Sequence, residues 1–219
     1  MDPAQARSAP AATAATAATI VVRDVECSRG ERVLFAPTSF VVAPGAIVWI
    51  RGANGQGKTT LLRTLAGLSA PAAGEIVRSG AATAPLYLAH ANAVKDDLTV
   101  AESLRFLLQL AGRPIDAGAV EDALERFAIA SRRNALVRTL SQGQRRRVAL
   151  ARLAAQREPL PWLLDEPFDA LDAAGVAILA DVIAAHARRG GSVVLTSHLP
   201  VPIDDPAPLV VQLHEPAMA

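Results

Sequence analysis

The chain has 219 residues, enough for one domain, or one domain with a small inserted lobe, around a substantial core. It carries 22 Lys and Arg against 21 Asp and Glu, and a formal net charge of +1 lacks the basic excess of a nucleic-acid binder. The 51% hydrophobic fraction is inflated by alanine. No window reaches the roughly 18 consecutive apolar residues of a membrane-spanning helix, so a soluble chain is expected.

Residues 1–19, "MDPAQARSAPAATAATAAT", are an Ala/Thr/Pro tract with no apolar periodicity. The tract lacks the apolar core of a signal peptide and is expected to be a disordered extension. "TIVVRDVEC" then predicts a strand that ends at Cys27, the single cysteine. That residue excludes an intrachain disulfide, suits a reducing compartment, and reads as small and buried. "SFVVA" and "AIVWI" predict strands on either side of a Pro44-Gly45 turn. "KTTLLRTLAGL" has apolar residues at helical spacing with Gly67 near its end, and "APLYLAH" reads as a short buried strand.

Thr99 and Glu102 match a capping box that opens the helix "VAESLRFLLQLAG". "DAGAVEDALERFAIA" predicts a second helix, with Leu124 and Phe127 on its apolar face. After "LSQGQRRRVALARL" come the apolar strand "LPWLLDE", the helix "AAGVAILADVIAAHARR", the strand "GSVVLTSH" and a last strand over Leu209 to Leu213. Strands alternating with helices imply a parallel sheet covered on both faces.

"GANGQGKTT", Gly52 to Thr60, matches G-x-x-x-x-G-K-[ST] between a predicted strand and a predicted helix. Its glycines let successive N–H groups of Gly52, Ala53, Asn54, Gly55, Gln56 and Gly57 turn inward as an anion nest, and the following helix start adds its positive end. Lys58 would reach the β- and γ-phosphates of ATP; Thr59 would ligate Mg²⁺, and Thr60 follows as a further candidate for the nucleotide site. Asp165, at the end of "LPWLLDE", is placed to hold the magnesium. Glu166 is placed to orient or deprotonate the attacking water. His198 follows the strand "SVVLTS", at a sheet edge where α/β proteins bind ligands.

In this order the residues resemble the ATP-binding subunits of ABC transporters, over nearly everything from Ile20 to Leu199. "LSQGQ", Leu140 to Gln144, looks like the family's signature, and "LLDEPFDALD" follows it as in the family. The resemblance implies an α/β fold: a P-loop NTPase core with a mixed, mainly parallel sheet, an N-terminal antiparallel β part and an inserted helical lobe. The domain would span 20–219 with the lobe at about 95–157. It also implies a head-to-tail dimer in which Ser141, Gly143 and Gln144 of one subunit close over the ATP of the other. The enzyme would be an ATPase docked on integral membrane subunits, peripheral at the cytoplasmic face of the inner membrane, with no direct nucleic-acid contact. Arg145, Arg146 and Arg147 lie just inside the signature helix, where successive residues turn by about 100°, so they fan out and read as surface charge and inter-lobe pairing.

The chain departs from the family at three places. His90 stands where a glutamine is usual; an imidazole can hydrogen-bond a metal-bound water but changes charge near neutrality. Arg29 stands near the usual adenine-stacking aromatic, and its guanidinium plane could stack instead. Asp169 replaces a small Ser or Thr. With "GERVLF", "YLAHANAVKDDLT" and "QRRRVALARL", these narrow the resemblance to the haem-exporter subgroup used in cytochrome c maturation. That subgroup implies ATP-driven release of a haem-loaded chaperone, with the segment from His90 to Asp97 facing the membrane partner. The alternatives are a transporter subunit for another small molecule and a soluble regulatory ABC protein. Lys58→Ala is expected to weaken ATP binding by at least about tenfold, the worth of a lost charged hydrogen bond, in equilibrium titration with a fluorescent ATP analogue.

Overall fold

The computed structural model describes residues 19–110 and 118–216. The expected extension lies outside them apart from Thr19, as do residues 111–117 at the facing ends of two predicted helices. In chain order come β1 (Thr19–Glu26), β2 (Ser28–Arg29), β3 (Arg32–Val33), β4 (Thr38–Val42), β5 (Ile47–Arg51) and α1 (Lys58–Leu65). Then follow β6 (Ala73–Ser79), β7 (Leu86–Leu88), α2 (Val100–Leu110), α3 (Ala119–Arg126) and α4 (Gln142–Ala154). The chain continues through β8 (Trp162–Leu164), α5 (Ala173–Arg188), β9 (Val193–Thr196) and β10 (Leu209–Gln212).

The central sheet has the order β10-β5-β9-β8-β7 and is parallel at every pairing. The antiparallel strands form a separate sheet, β4-β1-β6. Trp162, Leu163, Leu164, Val193, Val194 and Leu195 are all fully buried, as strands covered on both faces require. Their alternation divides them between two cores. Leu163 and Val194 pack with Leu61 and Leu62 of α1 and with Ile20 and Val22 of the antiparallel sheet. Trp162, Leu164, Val193 and Leu195 pack on the other face with residues of α2 to α5.

β6 was not anticipated from the sequence. Its residues are mostly exposed and give no clear apolar period, but β1 supplies a ladder from Thr19↔Ser79 to Arg23↔Glu75. The capping box does form: Thr99 N–H donates to Glu102 Oε2 at 2.9 Å, and Glu102 N–H donates to Thr99 Oγ1 at 3.3 Å. Among the described residues, no helix is long and apolar enough to cross a membrane.

The arginine triplet divides in a way that corrects its reading as surface charge. Arg145 pairs with Asp96 at 2.7 Å, and Arg147 pairs with Asp172 at 2.5 Å. Arg146 instead is 2% exposed, on one buried helix face with Ala149, Leu150 and Leu153.

His186 locks α5 to β8. Its ring lies flat on Trp162, with centroids 3.6 Å apart at an interplanar angle of 7°, and Nε2 is 2.7 Å from the Leu160 carbonyl. Gly191 must be glycine here, because a Cβ would run into the imidazole Nε2. Burial, opposed by the Leu160 hydrogen bond and aided by the Arg189 charge, lowers the His186 pKa from 6.5 to about 4. Between those values the unfolded imidazole takes a proton that the folded one refuses, so acid favours unfolding. Stability should therefore fall by up to about 3 kcal/mol as pH drops from 6.5 toward 4. Urea denaturation of a His186→Gln variant should show a shallower acid limb than the parent; identical limbs would remove His186 as the cause.

Candidate functional site

Because the central strands are parallel, their carboxyl ends open on one edge, and the loops after β5, β9, β8 and β7 stand there side by side. The loop after β5 is the phosphate motif. Gly57 has φ +94°, and a Cβ on it would lie 2.8 Å from Leu34 Cβ, so glycine alone lets the loop turn into α1. Lys58 is 7% exposed and folds back to donate from Nζ to the Gly52 carbonyl at 2.8 Å and the Ala53 carbonyl at 3.2 Å. Gln56 braces the turn. Its Oε1 accepts the Ala53 N–H at 2.6 Å, and its Nε2 donates to the Leu213 carbonyl just past β10 at 3.2 Å. Asn54 and Gly55 are exposed at the crest, and Thr60 is the third residue of α1.

The acid pair comes from the loop after β8. Asp165 is 2% exposed and accepts the Thr59 hydroxyl at Oδ2, 2.8 Å away, which joins phosphate loop and acid strand directly. Its Oδ1 accepts the Thr196 hydroxyl at 3.0 Å, and Thr196 Oγ1 in turn accepts the Glu166 N–H at 2.8 Å. Glu166 takes φ +45°, a left-handed backbone rare for a glutamate. His198 engages both of its carboxylate oxygens: Nε2 lies 3.2 Å from Oε1, and the backbone N–H donates to Oε2 at 3.1 Å. Burial raises the Glu166 pKa, with Asp169 adding to the rise and His198 and Lys58 opposing it. The carboxylate is thus a stronger proton acceptor than a solvated one.

The remaining candidates lie at or beyond this edge. Ser141 caps α4, its Oγ accepting the Gln144 N–H at 3.3 Å while Gln144 Oε1 accepts the Ser141 N–H at 3.0 Å. Among the described residues these bonds close on each other rather than on the phosphate loop. A Cβ at Gly143 would sit 3.0 Å from the Ala170 carbonyl, so the signature helix starts against the loop that follows Glu166. His90 and Asp169, two of the departures from the family pattern, face each other, with Nδ1 3.8 Å from Oδ2. Arg29 is exposed on the β2–β3 hairpin, apart from these contacts.

Two residues of the site carry no site role in the sequence-based expectations. Thr196 is the last residue of an apolar strand and finds its partners 30 and 31 positions away, which no local pattern reports. Arg146 was masked by its charged neighbours, although its spacing to Ala149, Leu150 and Leu153 placed it on a buried face.

A lysine-bearing phosphate loop bonded through Thr59 to a buried acid pair, at the carboxyl edge of a parallel sheet, defines a phosphate-loop ATPase. The chain belongs to the ABC transporter family, whose model matches residues 35–169. Among curated relatives, the cytochrome c biogenesis ATP-binding export protein CcmA of Aromatoleum aromaticum is 48% identical over 89% of this chain and 94% of that protein. The namesake of Nitrosomonas europaea is 45% identical over 82% and 88%, and that of Vibrio cholerae 40% identical over 89% and 98%. A solved ATP-binding subunit of an ABC transporter superposes with a TM-score of 0.75 at 23% identity, covering 89% of this chain and 85% of that one. A dimeric ATP-binding cassette bound to ADP and Pi superposes at 0.73 and 21%, covering 89% and 94%. At such identities these two matches speak for the fold.

Thr196→Val keeps shape but removes one hydroxyl from both carboxylate-bearing residues. It should cost about 1–3 kcal/mol of stability, the price of unsatisfied buried groups, and lower ATP turnover more than ATP binding. Parent-like turnover in a destabilised variant would limit Thr196 to a structural part.

Proposed function

We propose that this chain is the ATP-hydrolysing subunit of a membrane ABC complex of the haem-exporter type, driving release of a haem-loaded chaperone in cytochrome c biogenesis. The Thr59–Asp165 bond beside Glu166 supports hydrolysis at this edge. Kinship with the CcmA export proteins over most of the chain supports the cargo. Residues 20–219 act as one ATP-binding domain, with a helical lobe at about 95–157.

In this reading Lys58 leaves the Gly52 and Ala53 carbonyls for the β- and γ-phosphates, and the loop N–H groups from Gly52 to Gly57, with Thr60, complete the cradle. The Thr59 hydroxyl and the Asp165 carboxylate fit Mg²⁺, since both are hard oxygen donors beside a phosphate site. When bound, the ion supplies charge neutralisation at the phosphates. Glu166 orients the attacking water and accepts its proton at the carboxylate, while His198 holds that carboxylate in place. Ser141, Gly143 and Gln144 of a second subunit present a helix start to the γ-phosphate in a head-to-tail dimer. Arg29 stacks on the base, and His90 takes the place of the usual glutamine. The segment from His90 to Asp97 faces integral membrane subunits, which hold the chain peripherally at the cytoplasmic face of the inner membrane.

Glu166→Gln should retain ATP binding and lose turnover on the order of 10²-fold or more, as expected for a removed general base. In the native host, covalent haem in c-type cytochromes should fall with it at matched protein levels. Lost turnover with normal haem would leave the ATPase standing and assign another small molecule as cargo; parent-rate turnover would remove Glu166 from its part.

A further inference from the structure

Two loops of the sheet edge meet at one buried guanidinium. From the second turn of α4, Arg146 Nη1 donates to the His90 carbonyl at 3.2 Å and to Asn92 Oδ1 at 3.1 Å. Its Nη2 donates to the Glu166 carbonyl at 2.6 Å and reaches the Asp165 carbonyl at 3.4 Å. The side chain is 2% exposed, and its Nε is buried with no partner among the described residues. A position that only needed filling would not hold a cation there. Apolar side chains of similar volume commonly serve stability as well or better, and an unsatisfied buried group calls for another reason.

That reason lies at Glu166. A glutamate stays at φ +45° only where its surroundings fix both sides of the residue. Thr196 fixes the N–H and Arg146 fixes the carbonyl. The guanidinium is planar and rigid, so the groups on its two ends cannot shift independently. One end carries the turn after β7; the other carries the backbone that aims the Glu166 carboxylate. Arg146 touches no carboxylate oxygen of the pair in the bonds it makes, and so acts through backbone geometry. We infer that Arg146 is a positioning residue that holds the Glu166 backbone for hydrolysis and ties its orientation to the His90–Asn92 turn. This rests on the ATPase reading above.

The test is steady-state ATP turnover and ATP binding of the full chain as parent, Arg146→Met, Arg146→Lys, Asn92→Ala and the Arg146→Met/Asn92→Ala double variant, each with a thermal melt. Arg146→Met should lower kcat on the order of 10²-fold, as misaimed groups do, with KM and ATP affinity within about twofold of the parent. Arg146→Lys keeps the charge without the fork and should recover less than about threefold of that loss. Asn92→Ala, at a half-buried position, should lower kcat about threefold in the parent and add nothing in the Arg146→Met background. Parent-like kcat in a folded Arg146→Met protein, full recovery by lysine, or additive effects of Asn92→Ala would each overturn the inference. If Arg146→Met does not fold, Asn92→Ala decides: unchanged kcat overturns it, and a lowered kcat at parent KM supports it. A parent without turnover would overturn the ATPase reading and this inference together.

Discussion

Parallel strands all finish on the same side of a sheet, and the site depends on that constraint. Between β5 and β8 lies β9, so Thr196 emerges between the phosphate loop and the acid pair. From there one hydroxyl reaches Asp165 Oδ1 and the Glu166 N–H at once. Reversing any of these strands would send its loop to the opposite edge. The buried apolar strands are therefore more than filling: full burial of β8 and β9 on both faces fixes their register, and register fixes where the polar ends meet.

The same edge carries the chain's least comfortable features. Glu166 sits in a left-handed conformation, its carboxylate is partly stripped of water, and the cation bonded to its carbonyl has an Nε with no partner among the described residues. Each feature works against stability in isolation, and the two continuous apolar cores on either side of the sheet offset them. Local rules fail at Glu166 and Arg146, and hold in the capping boxes of α2 and α4.

What could be read from the sequence followed from how local the cause was. The phosphate loop was legible because its chemistry sits in nine consecutive residues, and the strand ends at Asp165 and His198 because apolar runs stop there. β6 was not, since its stability comes from a ladder with β1 about fifty positions away and its own residues are mostly exposed. Arg146 looked like its neighbours, and only the depth of α4 against the sheet edge separates it from them. Thr196 has no local signature at all: its importance is that two partners thirty positions away converge on one oxygen.

Lys58 gives the phosphate loop a property of its own. Its ammonium is buried but not bare, since the carbonyls of Gly52 and Ala53 already accept from it. Arrival of a phosphate is then an exchange of acceptors at one nitrogen, with neutral carbonyl dipoles released and anionic oxygens taken up. Hydrogen bonds made and broken nearly cancel in such an exchange, and the difference that remains is charge. Affinity at this loop is thereby weighted toward the number of negative oxygens a ligand brings, and toward the ionic strength in which it brings them.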